Sequence, residues 1–283
     1  MTIDEKFTRL QTIIRKYGRL AVAFSGGVDS TFLLKAASDV LGEDALALTI
    51  ASPTTTVDDA ADISSFCREH AIRCIRITLD PMENPSFRSN SPRRCYYCKA
   101  MEFGAMRKAA AAHGILRLAS GINAEDADDY RPGLKALAEL EVVSPLKEAG
   151  LTKSDIRELS KRMGLRTWNK PANSCLASRI PYGEAVTADK LKKISAGERL
   201  LHDLHFRHVR VRLHQDMIAR IEVAPEERRR FLEPDLMDEI TAGFQSIGFR
   251  YTTLDLRGYR TGSLNELLDA ATKREARPVG DES

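Results

Sequence analysis

The spacing of apolar positions changes along the chain. Phe7, Leu10, Ile13, Ile14 and Tyr17 recur at helical spacing, which predicts an amphipathic first helix packed on the next part of the chain. That next part reads as a sheet. The apolar run LAVAF at 20–24 leads directly into SGGVDS at 25–30, and TFLLKAASDVLG then reads as a helix ended by Gly42. Further short apolar runs at ALALTI (45–50), IRCIRIT (72–78) and ILRLASG (115–121) alternate with helical patterns such as DDAADISSFCREH and CKAMEFGAMRKAAAAHG. This alternation predicts an α/β fold with a doubly wound, mostly parallel sheet and a ligand at the carboxyl ends of its strands. The pattern changes after about residue 170. From 187 onward the chain reads as a helix (TADKLKKISAGERLLHDL), two strands (HVRVRLH and MIARIEV), one continuous helix (PEERRRFLEPDLMDEITAGFQSIG) and a strand (RYTTLDL). The expected organisation is a first domain over 1–170, a smaller α+β domain over 171–265 and a polar, frayed tail over 266–283.

Composition narrows the class. A chain of 283 residues that is 43% hydrophobic can bury a substantial core in one large or two ordinary domains. Its 43 basic and 40 acidic side chains leave a net charge of +3, too balanced for bulk attraction to nucleic acid or a membrane. The opening MTIDEKFTRLQTIIRKYG has no apolar core of a signal peptide, and no apolar run approaches the roughly 20 residues that span a bilayer. The expectation is a cytoplasmic protein without nucleic-acid or membrane partners. Five cysteines, an odd count in such a chain, point to metal binding or reactivity and away from a disulfide framework.

The first chemical motif is FSGGVDST. Gly26 and Gly27 permit a sharp turn and a close backbone approach, and the helix after them offers N–H groups and a positive dipole end to an anion. No Gly-Lys-Ser/Thr is present downstream, so this is no Walker A loop, and the third glycine of a dinucleotide fingerprint is missing. A plain glycine turn capped by Ser25 or Asp29 is the simpler account, but the position between a strand and a helix favours a phosphate cradle. The second motif is SPRRCYYCKAMEF, whose Cys95 and Cys98 could share a metal or cluster or form a redox couple. Cys175, in SCLASRIP, is the one further cysteine in a loop-like run, whereas Cys67 and Cys74 fall in a helix and a strand and read as small core residues. Three thiolates suit a cluster with an open iron better than a closed zinc site.

SGGVDS resembles the pyrophosphate loop of the N-type ATP pyrophosphatases, or PP-loop proteins. That resemblance implies that Ser25, Gly26, Gly27, Asp29 and Ser30 hold ATP phosphates, with Asp29 near Mg²⁺. Together with RCYYCK, GINAEDADDYRPG (121–133), SPLKEAGLTKSDIR (144–157), KPANSCLASRIPYGEAVT (170–187) and RVRLHQDMIARIEV (210–223), it makes the chain similar to the LarE family of ATP-dependent sulfur transferases, from the first strand to about Gly262. The resemblance implies adenylylation of a carboxylate of pyridinium-3,5-biscarboxylic acid mononucleotide and then replacement of AMP with sulfur, on the route to the nickel-pincer nucleotide of lactate racemase. It also implies a homo-oligomer, a hexamer in the family. Family members split by sulfur source. In some the residue matching Cys175 gives up its own sulfur; in others it joins a Cys-x-x-Cys pair in holding a 4Fe-4S cluster. With Cys95, Cys98 and Cys175 at matching places, this chain resembles the second kind.

The same match brings in other residues. Arg210 and Arg212 alternate along an expected strand and share a face, where two guanidiniums could grip a substrate phosphate; by spacing alone a solvated basic edge strand accounts for them. Arg179 could neutralise a substrate carboxylate or act on the Cys175 thiol, with a surface ion pair as the alternative. Glu198 is a candidate metal or substrate contact, against an exposed helix glutamate. Asn123 and Asp126 come after a strand end, where nucleotide contacts are expected, though both also suit a turn. His202, His205, His208 and His214 crowd one region but straddle an expected break, so no metal site is assigned to them. Three rivals remain. A tRNA thiolase of the same superfamily usually carries extra zinc-binding cysteines or a basic platform, an ammonia-using synthetase has no use for three cysteines, and a non-enzymatic nucleotide sensor has no use for a pyrophosphate loop.

Overall fold

The computed structural model describes residues 1–54, 57–126, 132–170, 174–260 and 262–269. The described chain forms two compact units, one built from Met1–Asp80 and Cys95–Asn173, the other from Pro81–Arg94 and Ser174–Glu275. The first domain read from the sequence has no such excursion of Pro81–Arg94 into the second unit. The tail expected over 266–283 lies outside the described residues from 270 onward.

In the first unit, α1 (Ile3–Tyr17) starts at a capping box in which Thr2 and Glu5 satisfy each other's backbone N–H, and Leu10 and Ile14 on its inner face are buried. Next come β1 (Leu20–Ala23), α2 (Val28–Leu41), β2 (Ala45–Ala51), α3 (Val57–Glu69) and β3 (Cys74–Thr78). The short α4 (Pro85–Arg88) belongs to the second unit, after which α5 (Arg94–Ala112), β4 (Leu118–Ala119), α6 (Pro132–Glu139), α7 (Pro145–Glu148) and α8 (Lys153–Arg162) complete the first. The sheet is parallel throughout, in the order β3-β2-β1-β4. Alternate strand residues serve opposite faces. Leu20, Val22, Ala45 and Ala47 pack with α2, α3 and α8, while Ala21, Leu46, Leu48 and Leu118 meet Phe103, Met106 and Ala110 of α5. The strand expected over 115–121 shrinks to two residues because its first residue closes a helix end, Ile115 N–H donating to Ala110 O.

In the second unit, α9 (Ala188–Asp203) and α10 (Pro234–Ile247) accompany a sheet of β5 (Val209–His214), β6 (Ile218–Val223) and β7 (Tyr251–Leu254). β5 and β6 are antiparallel and β7 is parallel to β6. The continuous helix expected over 225–248 is two elements, a 3-10 segment Pro225–Leu232 and then α10. Pro234 is the reason: it lacks an N–H and excludes the helical region for the residue before it, and Glu233 is extended at φ −83°, ψ 116°. Pro81–Arg94 is stitched into this unit by one fully buried amide. Asn90 Nδ2 donates to Ile180, Pro181 and Glu184 carbonyls at 3.3, 2.7 and 2.8 Å, and Arg94 bridges Asn90 Oδ1 to Ala177 O.

Phe32, with 0% exposure, sits at the centre of the first unit's core against Phe7. Phe32→Ala is expected to cost about 3–5 kcal/mol in urea unfolding monitored by circular dichroism; a cost below about 1 kcal/mol is inconsistent with this core.

Candidate functional site

The SGGVDS segment joins β1 to α2. Gly26 turns the chain with a positive φ of 71°, and Gly27 is the N-cap of α2, which has no side-chain cap. The cap by Ser25 or Asp29 that the simpler glycine-turn account requires is thus not formed. Ser25 instead meets Ser30 across the turn, Oγ to Oγ at 3.1 Å, and Ser30 Oγ donates to Gly27 O at 3.2 Å. A helix start left uncapped keeps its first N–H groups and its dipole for an anion. Gly121, at the exit of β4, lies against this helix start so closely that a Cβ there would stand 3.0 Å from Ser30 N and 3.2 Å from Asp29 C. A side chain there would press on the main chain of the helix start, so glycine suits the approach.

Two lysines flank the turn. Lys153, at the start of α8, holds Asp29 Oδ2 at 2.5 Å, and Lys170 donates to Gly26 O at 3.4 Å while pairing with Asp62. The other Asp29 oxygen, Oδ1, is buried with no hydrogen-bond partner among the described residues. Burial pushes the Asp29 carboxyl above its ordinary value, with Lys153 pulling the other way. A half-satisfied, partly desolvated carboxylate beside an anion cradle fits a hard divalent cation such as Mg²⁺. Asn123 and Asp126 lie just after β4 as anticipated, and they hold the loop itself: Asn123 Oδ1 accepts from Glu125 N at 2.9 Å and Asp126 Oδ2 from Asn123 N at 3.0 Å.

Cys95 and Cys98 stand one turn apart at the N-terminal end of α5. Cys98 is buried and its Sγ donates to Glu102 Oε1 at 3.5 Å, while the same carboxylate pairs with Lys99 and raises its pKa. Two thiols on one helical face at a positive helix end are a chemically suitable pair of soft ligands. Among the described residues no group of three or more His, Cys, Asp or Glu side chains is gathered to hold a metal ion, the four neighbouring histidines included.

In the second unit Cys175 is exposed and caps the 3-10 turn Leu176–Arg179. Its main chain is held from beneath. Arg179 has 0% exposure; one guanidinium nitrogen donates to Ser174 O at 2.5 Å and Cys175 O at 3.0 Å. The rest of the fork grips Glu198 of α9 at 2.8 and 3.1 Å, and Glu198 Oε1 also accepts Val211 N of β5 at 3.1 Å. Neither residue is the surface group that composition alone suggests. Arg210 and Arg212 share a face of β5, as their spacing predicts, but both are buried. Arg212 forms a bidentate pair with Glu222, both contacts at 3.0 Å, and also donates to Ser178 O and Ser263 Oγ. Arg210 lies over the Tyr259 ring at 5.1 Å. Burial first, and then the neighbouring Arg179 charge, push its pKa below the usual value, with Glu198 opposing. An arginine whose charge is disfavoured by its surroundings is one that a bound anion stabilises. Lys153, Lys170, Gly121, Glu222, Tyr259 and Ser263 have no local signature that separates them from ordinary surface or turn residues.

A parallel sheet whose first strand turns through Ser-Gly-Gly-x-Asp-Ser into an uncapped helix puts the first unit in the PP-loop class of α/β folds. No protein-family model matches the chain. It is 39% identical over 271 residues to the pyridinium-3,5-bisthiocarboxylic acid mononucleotide synthase of Lactiplantibacillus plantarum, covering 95% of this chain and 97% of that protein. An uncharacterized protein of Synechocystis is 38% identical over 94% of this chain and 99% of its own length, and one of Methanocaldococcus jannaschii is 27% identical over 92% and 100%. The chain belongs to the LarE family.

Two outcomes are expected for these side chains. Because the folded Asp29 pKa is raised, any stability it contributes is complete below its unfolded pKa near 3.9 and is lost as pH rises through the folded value. At neutral pH Asp29→Asn is therefore expected to melt no earlier than the wild type without nucleotide, while calorimetry shows Mg–ATP affinity falling about 100-fold; early melting contradicts the assignment. Glu198→Ala leaves a buried guanidinium without its carboxylate and is expected to cost about 3–5 kcal/mol by urea titration, Glu198→Gln appreciably less. Equal losses in the two variants would mean that charge compensation is not what Glu198 supplies.

Proposed function

We propose that this protein is an ATP-dependent sulfur transferase that adenylylates a carboxylate of pyridinium-3,5-biscarboxylic acid mononucleotide and replaces AMP with sulfur to give a thiocarboxylate, in the making of a nickel-pincer nucleotide. The observation that carries this reading is the 39% identity over 95% of the chain to a protein named as the synthase of the bisthiocarboxylic product. Carbonyl chemistry sets the order of steps. A carboxylate is a poor electrophile; its oxygen displaces pyrophosphate from ATP, and the mixed anhydride then loses AMP to an attacking sulfur.

In this reading the residues divide the work. The α2 N-terminus with Ser25, Gly26, Gly27 and Ser30 binds the ATP phosphates, and Asp29 holds Mg²⁺, which neutralises phosphate charge when bound. Lys153 and Lys170 add positive charge beside that turn. Asn123 and Asp126 shape the nucleotide-facing loop. Arg210, whose charge gains from an anion, binds the substrate phosphate with Arg212 beside it. Arg179 and Glu198 position the Cys175 loop, a role supported by their burial and by the bonds of Arg179 to the Ser174 and Cys175 carbonyls. Cys95, Cys98 and Cys175 would hold a 4Fe-4S cluster, which when bound offers an iron without a protein ligand as a seat for an added sulfide. A cytoplasmic homo-oligomer, hexameric by family resemblance, completes the reading. It is consistent with five free cysteines and with Leu232 and Leu256 standing 78% and 79% exposed. Among the described residues no helix is long and apolar enough to cross a membrane.

Pyrophosphate release on adding ATP, Mg²⁺ and the pyridinium dicarboxylate is the decisive assay. Release that instead requires tRNA or ammonia would overturn the proposal. For the sulfur source, anaerobic iron quantitation and intact mass after turnover are expected to show iron and an unchanged Cys175; loss of the mass of H₂S from Cys175, with no iron, identifies it as the donor instead.

A further inference from the structure

Two cysteines outside this machinery meet in the first unit. Cys67 closes α3 and Cys74 opens β3, and the connection between them is short: Ile72 N–H donates to Cys67 O at 2.9 Å and Ala71 turns the chain at φ 52°. That turn folds the strand back along the helix and sets the two cysteines side by side at the edge of the core, Cys67 within it and Cys74 packed against it. Cys67 is buried and Cys74 partly exposed, and the neighbouring thiol shifts Cys74 below the usual thiol range and Cys67 above it.

Both thiols line a cavity of about 790 Å³, within the range of small-molecule sites. Its lining also includes Thr49, Ser64, Arg68, Arg73 and Arg76. All three arginines are exposed, and Arg68 Nε donates to Ser64 O at 3.3 Å. β3 is an edge strand, so no neighbouring strand closes the cavity on that side. A partly exposed thiol beside a second cysteine, in a cavity lined by three exposed arginines, is suited to an anionic ligand that reacts with sulfur. An ordinary core cysteine pair has no need of either the space or the charge.

We propose that this cavity is a second sulfur-handling site, which binds a small carboxylate-bearing persulfide through the arginines and accepts its sulfane sulfur on Cys74. The Cys74 thiolate attacks the outer sulfur of R–S–SH, an S–S bond forms at Cys74 Sγ, and the donor's S–S bond breaks with its electron pair leaving on R–S⁻. Thiolate and persulfide exchange one sulfur atom, so no external oxidant or reductant enters. Cys67, buried beside it, acts as a positioning residue. The inference rests on the sulfur-transferase reading and names the class of compound that could feed it.

The test is peptide mapping of all five cysteines in wild-type protein after substoichiometric glutathione persulfide. Cys74 is expected to gain one sulfur atom ahead of the others. In a variant carrying Arg73→Gln and Arg76→Gln, loading is expected to slow about tenfold with glutathione persulfide and to be unslowed with the cationic cysteamine persulfide. Cys67→Ala is expected to slow Cys74 loading with either reagent. Cys74 loading no faster than the other cysteines, or charge-independent loading, overturns the proposal. Pyrophosphate release measured in the same wild-type samples separates the two readings. Sulfur on Cys74 without pyrophosphate release removes the adenylylation reading and keeps this site, whereas pyrophosphate release with sulfur confined to Cys95, Cys98 and Cys175 does the reverse.

Discussion

A guanidinium with no exposed surface must have its charge and its donors answered by protein, and in the second unit that requirement falls on Arg179. Its answers are Glu198 on one side and the Ser174 and Cys175 carbonyls on the other. The same carboxylate oxygen takes the Val211 N–H, which ties α9 to β5. One buried charge thus fixes a helix against a strand and fixes the main chain of a loop whose thiol stays in the open. The loop can leave its thiol exposed and still be placed, because charge-assisted hydrogen bonds to its main chain add to the burial of Leu176, Ala177 and Ile180.

The first unit handles charge differently. Asp29 has Lys153 on one oxygen and, among the described residues, nothing on the other, and burial lifts its pKa where the second unit's pairs are closed. Full compensation makes a structural element and partial compensation makes a binding element, since only the latter leaves free energy to be gained from a ligand. Arg210 also has its charge opposed by burial and by Arg179, with Glu198 pulling the other way. A half-satisfied carboxylate beside an uncapped helix start and a buried guanidinium over the Tyr259 ring are the two places where a bound ion changes the charge balance most.

The parallel sheet and the SGGVDS turn were legible because both are local: strand runs, a Gly-Gly turn and helix periodicity lie within a few residues of each other. The alternation of Arg210 and Arg212 was legible for the same reason. Their burial was not, because it depends on Glu222 and Ser263, ten and fifty-one residues from Arg212. Lys153 and Asp29 are 124 residues apart, so nothing along the chain marks that lysine. The break at Pro234 was readable in principle; the apolar periodicity on both sides concealed it. Asn90 gives no signal either, since an asparagine reads as a turn residue until the carbonyls it binds, some ninety residues on, are known.

Stability and chemistry are separable in the first unit and entangled in the second. Phe32 and its neighbours fill a core beneath the sheet, so that core can be weakened without touching Ser25, Asp29 or Ser30 directly. Arg179 and Glu198 offer no such separation, because the bonds that hold the Cys175 loop also join α9 to β5. A variant there changes the fold and the site together, and a loss of sulfur transfer from it says little about which was lost. Glu198→Gln keeps the shape and the Val211 acceptor while removing the charge, so it is the change that can distinguish positioning of the loop from support of the sheet.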